Sequence, residues 1–237
     1  MAGVLSEIWD RATTAQPVPT TTVVALTGLA ALLLVAMPAT WHRVRLGITV
    51  VHEGGHALVG VLVGRRLQGI RLHADTSGLT VSRGRPTGPG MLVTLLAGYL
   101  APALVGLGAA LLLTGGYALG LLWLSVVLMA AMLVWIRNVY GFLVLVVGIA
   151  AAGTISWYGA PATQAACAYL LVWLLLLAAP RPVVELLLAG RGRSRNSDPD
   201  QVARLTHIPA TVWIVAMLAA NLAGLVVGAS TLAPGLH

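Results

Sequence analysis

Long uncharged runs constrain this chain more than any other feature. Seven windows of its 237 residues are almost free of charge: 21–37, 46–64, 91–113, 117–136, 139–156, 163–179 and 211–228. A helix needs about 20 apolar residues to cross a hydrocarbon core of about 30 Å. Lipid leaves no partner for a free backbone group, so only helices and closed barrels can span it. Only 9% of the residues are charged, against about 25% in a soluble domain. The expected fold is an all-α polytopic membrane protein of about seven transmembrane helices. Residues 1–20 read as a polar lead closed by Pro17 and Pro19, 21–230 as a single transmembrane domain, and 231–237 as a tail. No basic-then-apolar leader with a cleavage site opens the chain, so the first span is expected to stay.

Within the second run stands Val51-His52-Glu53-Gly54-Gly55-His56-Ala57. Residues four apart share a helix face, so His52 and His56 can hold one zinc. Glu53 falls beside them, where a carboxylate can take a proton from the attacking water. With six His and three Glu in the chain, chance supplies about 0.002 such patterns. Two core histidines and a buried glutamate are the plainer reading. An ionisable group in a membrane segment is costly and points to function, and this segment carries three. From His56 to Gly64 is eight residues, roughly 12 Å along a helix, which places a metal within the bilayer. Gly55, Gly60 and Gly64 put small residues along this helix. Gly60 and Gly64 form a small-xxx-small pair that lets a neighbour approach.

Between 65 and 89 the chain turns polar, and apolar and polar residues alternate at 70–73 and 79–82 around Ala74-Asp75-Thr76-Ser77-Gly78. That pattern predicts a β-hairpin over about 67–83. Pro102 predicts a kink in its span, and Pro180-Arg181-Pro182 a break. A short apolar helix with Glu185 at the interface should follow, within a basic cytoplasmic loop over about 181–205. Ser197-Asp198-Pro199-Asp200 carries a helix start signal, a capping residue followed by proline. Residues 39–45 read as a basic connection with Trp41 at the interface.

The net charge of +7 comes from fourteen arginines and no lysine. No basic patch interleaved with aromatics argues for nucleic acid, so the arginines are read as topology signals and lipid contacts. With a cytoplasmic N-terminus and seven spans, only Arg43 and Arg45 fall outside; the other twelve, and the hairpin, are cytoplasmic. The lone Cys167 is a packing residue. Arginine-only cationic charge with abundant Ala, Gly, Val and Leu suggests a bacterial plasma membrane.

The His52-Glu53-Gly54-Gly55-His56 span, the Gly64-Arg65-Arg66 at its end and the hairpin that follows resemble the site-2 protease family of intramembrane zinc metalloproteases. The likeness is closest to its compact bacterial branch and runs from about 46 to 225. Asp75-Thr76-Ser77-Gly78, Arg137-Asn138 and Ser197-Asp198 add weaker points of similarity. The resemblance implies hydrolysis of a peptide bond in or near the membrane. The substrate would be a membrane protein, such as a single-span anti-sigma factor, or a leftover signal peptide. It makes His52 and His56 zinc ligands and Glu53 the general base, and it implies an aspartate as third ligand. The family's usual Leu-Asp-Gly is missing. The seven acidic residues are Glu7, Asp10, Glu53, Asp75, Glu185, Asp198 and Asp200. Asp198 is the leading third ligand and Asp200 the alternative, while the plainer reading of Asp198 is a helix cap. His73 and His207 remain possible ligands. Asn138 could help stabilise the oxyanion, and the hairpin could receive an extended substrate strand or simply pack. A catalytically inactive metal-binding scaffold and a metal transporter are the alternatives in other functional classes.

Overall fold

The computed structural model describes residues 2–190 and 196–232; the basic run at 191–195 and most of the tail lie outside them. The order is α1 (Ala2–Thr13), α2 (Thr21–Ala36), α3 (Pro38–Leu62), β1 (Arg66–Leu72), β2 (Gly78–Arg83), α4 (Pro89–Thr114), α5 (Ala118–Leu133), α6 (Val139–Tyr158), α7 (Pro161–Ala178), α8 (Pro180–Ala189), α9 (Asp198–Thr206) and α10 (Ala210–Leu232). Proline stands in the first turn of α3, α4, α7, α8 and α9. There its missing N–H has no intrahelical partner to lose.

The fold is mostly helical and multi-pass, and among the described residues fewer than seven helices have the length and apolarity of a span. Four are long and apolar enough: α4, α6, α10 and the continuous Pro161–Ala189; the pair α2–α3, bent by 101°, makes five if counted as one. Helix α5, with 16 residues, is shorter. At about 1.5 Å per residue α2 reaches only about 24 Å, less than a hydrocarbon core. Extended Met37, at φ −75° and ψ 127°, breaks it from α3. Residues 39–45, expected as a connection, are instead the first turns of α3. At Pro180-Arg181-Pro182 α7 gives way to α8 as expected, but Ala179 stays helical at φ −54° and ψ −44°, so the two run on as one candidate span, Pro161–Ala189. Pro102 lies within a continuous α4, where it cannot donate to the Gly98 carbonyl. Buried Asn221 of α10 donates to the neighbouring Tyr99 carbonyl at 3.1 Å.

The bent pair changes the topology. The Gln16 N–H donates to Gly116 O at 2.8 Å, which ties the N-terminal segment to the end of α4. The hairpin precedes α4, so it sits at the other end of that 26-residue helix. The N-terminus and the hairpin therefore occupy opposite ends of the bundle, not one side as a seven-span count requires. Arg45 and Arg181, assigned to opposite faces by that count, both reach Glu185, at 3.1 and 3.5 Å. Trp41 is buried, donating to Glu185 at 2.7 Å under the Arg181 guanidinium. The lead expected to be a polar segment contains the helix α1, packed against α5.

Strands β1 and β2 pair antiparallel from Arg66↔Arg83 to Leu72↔Gly78, as the alternation at 67–83 predicts. The outer edge of β1 is occupied by the α5–α6 junction: Ile70 N donates to Trp135 O at 2.8 Å and Arg137 N to Ile70 O at 2.9 Å. The Asn138 amide pairs with both backbone groups of Leu72. That engagement makes Asn138 a clamp on the β1 backbone. Among the described residues β2 has no backbone partner beyond β1. Helix α3 packs on α4 through Gly55, where a Cβ would stand 2.6 Å from that of Ala101. Gly60 meets Thr94 at an ordinary 3.7 Å, and Gly64, at φ +80°, faces open space. The expected small-residue seam at Gly60 and Gly64 thus shifts to Gly55, and Gly64 serves the turn into β1.

Candidate metal centre

Helix α3 brings His52 and His56 one turn apart on the face it turns to α4. Their Nε2 atoms lie 3.1 Å apart. Asp198, at the start of α9, places Oδ2 3.2 Å from His52 Nε2 and 3.1 Å from His56 Nε2. These three form the one group of convergent metal-ligating side chains among the described residues. A tetrahedral zinc with bonds of about 2.0 Å separates its donors by about 3.3 Å, so the triangle matches one face of that shell within tenths of an ångström. The tautomer agrees. His56 Nδ1 lies 2.7 Å from the Thr94 carbonyl, a group that can only accept. Nδ1 therefore carries the proton, and the Nε2 lone pair faces the carboxylate. Two acceptors at 3.1 Å are held together by a cation between them or a proton on one, and fixing the second nitrogen in this way is how ligating histidines are oriented.

Neighbouring residues leave room for this arrangement. Gly98 of α4 backs both rings: a Cβ there would stand 2.6 Å from His56 Cε1 and 2.7 Å from His52 Cε1. Tyr99 meets the His52 ring edge-on at 4.7 Å between centroids. Thr94 and Gly98 are five and nine residues into α4, which is about 8 to 14 Å from its hairpin end. The centre thus lies inside the bundle.

Beside the triad a cavity of 430 Å³ is lined by His52, Glu53, His56 and Asp198, by β2 residues including Gly78 and Thr80, and by Arg45. Glu53 is 3% exposed. Thr80 donates to its Oε2 at 2.6 Å.

The cap on α9 resolves the two readings of Ser197-Asp198-Pro199-Asp200. Ser197 is the N-cap and Asp200 closes a capping box with it, its Oδ2 accepting from both the Ser197 N–H and hydroxyl. Asp198 is thereby left to face the histidines, and Asp200 is not among them. Three of the other acids are engaged elsewhere, Glu7 with Arg11, Asp75 with Ser77 and Glu185 with Arg45 and Arg181, and Asp10 is exposed in α1. His73 is in the exposed hairpin turn, and His207 closes α9 in the left-handed conformation. Neither joins the triad. Reasoning from the sequence missed Thr80, Gly78, Thr94 and Gly98. Only the hairpin alternation hinted that 78 and 80 share one face of a strand.

A helical multi-pass membrane chain with a buried His-Glu-x-x-His helix and an aspartate from a distant segment defines a membrane-embedded metalloprotein. The chain belongs to the Peptidase M50B-like family, which matches residues 25–228. No curated protein and no solved structure matches it. Family and site together make it a membrane protein of the metalloprotease kind, with His52, His56 and Asp198 positioned to bind a metal.

Proposed function

We propose that the chain is a zinc metalloendopeptidase that cuts a peptide bond in or near the membrane segment of a protein substrate. The observation that carries this is the convergence of His52, His56 and Asp198 beside buried Glu53 in one cavity. Two nitrogens and one carboxylate oxygen suit a catalytic zinc, with a fourth position left for water. When bound, zinc supplies the Lewis acidity that makes water a competent nucleophile near neutral pH. The protein's own steps are proton transfers and positioning. Glu53 takes a proton from the attacking water as its oxygen adds to the scissile carbonyl. It then gives that proton to the amine nitrogen as the C–N bond breaks. The Thr94 carbonyl holds the His56 imidazole in the ligating tautomer by accepting from Nδ1, and Asp198 supplies the carboxylate oxygen beside both Nε2 atoms.

A transmembrane helix hides its peptide bonds in its own hydrogen bonds, so the substrate must unwind to be cut. The free edge of β2 lines the cavity and suits an incoming extended strand. Substrates of this kind are single-span membrane proteins under regulated intramembrane proteolysis, or leftover signal peptides. The setting is the bacterial plasma membrane. Arg65, Arg66, Arg71, Arg83 and Arg85 lie in the hairpin or beside it and Arg137 pairs with β1, while Arg11 is in α1. The positive-inside rule then turns the hairpin and the cavity to the cytoplasm and the N-terminus away from it.

The test is Glu53→Gln in detergent-purified protein, with cleavage of single-span reporters and metal content measured side by side. Cleavage should fall by about 100-fold or more while one zinc per chain is retained. Full cleavage by the variant would sink the mechanism. A metal-binding scaffold would bind zinc in both proteins and cleave with neither.

A further inference from the structure

Strand β2 and the turn before it grip helix α3 at successive levels, and the centre of the grip is the Glu53 carboxylate. Thr49 Oγ1 donates to the Thr76 carbonyl at 2.8 Å. Gly78 lies against Glu53, where a Cβ would stand 2.6 Å from Cγ and 2.7 Å from Cδ. Thr80 Oγ1 donates to Glu53 Oε2 at 2.6 Å and sits 3.2 Å from the Glu53 carbonyl. Two residues along a strand advance about 6.8 Å, and four along a helix about 6 Å. From 76 to 80 a strand advances about 13.6 Å, twice the rise from 49 to 53, so the two elements do not run in step and the long Glu53 side chain meets both Gly78 and Thr80. Thr76 is buried and holds φ +67°, a conformation a β-branched residue rarely adopts. It is kept there by its bonds to Thr49 and to the His73 carbonyl at 3.0 Å. The Thr80 hydroxyl is the one hydrogen-bond donor to the Glu53 carboxylate among the described residues.

We propose that Thr80 is the positioning residue that aims the Glu53 carboxylate, with Gly78 supplying the space it needs. Because the same strand offers its other edge to the cavity, a peptide docked on β2 is set in register with the base that serves it. This rests on the reading of Glu53 as general base. The geometry distinguishes it from ordinary helix–strand packing, in which a methyl group at 80 would serve as well as a hydroxyl.

The experiment uses the full chain, zinc-loaded, in detergent. The variants are Thr80→Val, which keeps shape, Thr80→Ser, which keeps the hydroxyl, and Gly78→Ala. The first readout is the infrared carboxyl band of ¹³C-glutamate-labelled protein. Three glutamates are present, and subtracting the Glu53→Gln spectrum isolates the band of interest. The band should shift in Thr80→Val and Gly78→Ala and stay in place in Thr80→Ser. The second readout is turnover of a single-span reporter with a glycine-rich membrane segment. For Thr80→Val, kcat should fall between about 10-fold and 100-fold, with KM and zinc content unchanged, and Thr80→Ser should restore it. An unmoved band in Thr80→Val, or equal kcat losses in the Val and Ser variants, would overturn the proposal. A wild type that cleaves nothing while Thr80→Val still shifts the band would remove the protease reading and uphold the Thr80–Glu53 bond.

Discussion

At the scale of single residues, Ser197-Asp198-Pro199-Asp200 divides its work. Ser197 and Asp200 cap α9, which leaves the adjacent Asp198 to point at His52 and His56. Loss of each aspartate should therefore have a different consequence. Asp198→Ala should weaken metal binding by more than about tenfold. Asp200→Ala should keep the metal and cost about 1 kcal/mol of stability. Metal content by elemental analysis and thermal melts check both; equal metal loss in the two variants would contradict the division. Gly98 makes a sharper case. Alanine is worth about 0.8–1.0 kcal/mol over glycine in a helix interior, so Gly98→Ala should not weaken α4 by itself. Its Cβ would still collide with both imidazole rings. The variant should fold and melt normally without metal yet bind zinc poorly, and full zinc binding would show that the rings can yield.

At the scale of elements, α4 is the wall on which the site is built. It receives α3 through Gly55, supplies the Thr94 carbonyl to His56, and is held from behind by α10. The Asn221–Tyr99 bond joins α10 to the turn just before Pro102, where α4 is one N–H short. Interhelical hydrogen bonds in membranes average about 0.6 kcal/mol and reach about 1.7. Asn221→Ala should lose an amount in that range, read as a lower unfolding midpoint in detergent, with zinc content unchanged. A simultaneous loss of zinc would mean that α10 holds the site as well as the bundle. The hairpin was legible beforehand because alternation at 67–83 stands out in a chain of uninterrupted apolar runs. The bend between α2 and α3 was not. A 16-residue apolar run looks like a short span, and only packing reveals that α3 leaves it at 101°.

At the scale of the whole molecule, that bend decides the topology. Counting α2 and α3 separately puts the N-terminus and the hairpin on one side. The bent pair puts them at opposite ends, with Gln16 against Gly116 and the hairpin at the start of α4. Thr14 and Thr87 are exposed, Thr14 two residues before the Gln16–Gly116 contact and Thr87 two residues before α4 opens at Pro89. In a Cys167→Ser background, Thr14→Cys should react with a membrane-impermeant maleimide in intact cells. Thr87→Cys should react only once the membrane is opened. Labelling of both from the same side would restore the two-span count.

The sequence by itself determined the membrane class, the hairpin and the pairing of His52 with His56 around Glu53. Each of these depends on periodicity: apolar length against bilayer thickness, a repeat of two for a strand, and four residues per helical turn. Scarcity of acids also kept the candidates for the third ligand few, with Asp198 leading, Asp200 the alternative, and His73 and His207 still possible. The tertiary structure gave the reason for Asp198 over Asp200, because a capping box consumes one carboxylate and frees the other. It alone placed Thr80 and Gly78 on Glu53, and Gly98 behind the histidines. Those contacts join residues 25 to 46 positions apart, and no local pattern encodes which faces meet. The count of spans was likewise decided by packing, since hydropathy measures how apolar a helix is and not the direction in which it runs.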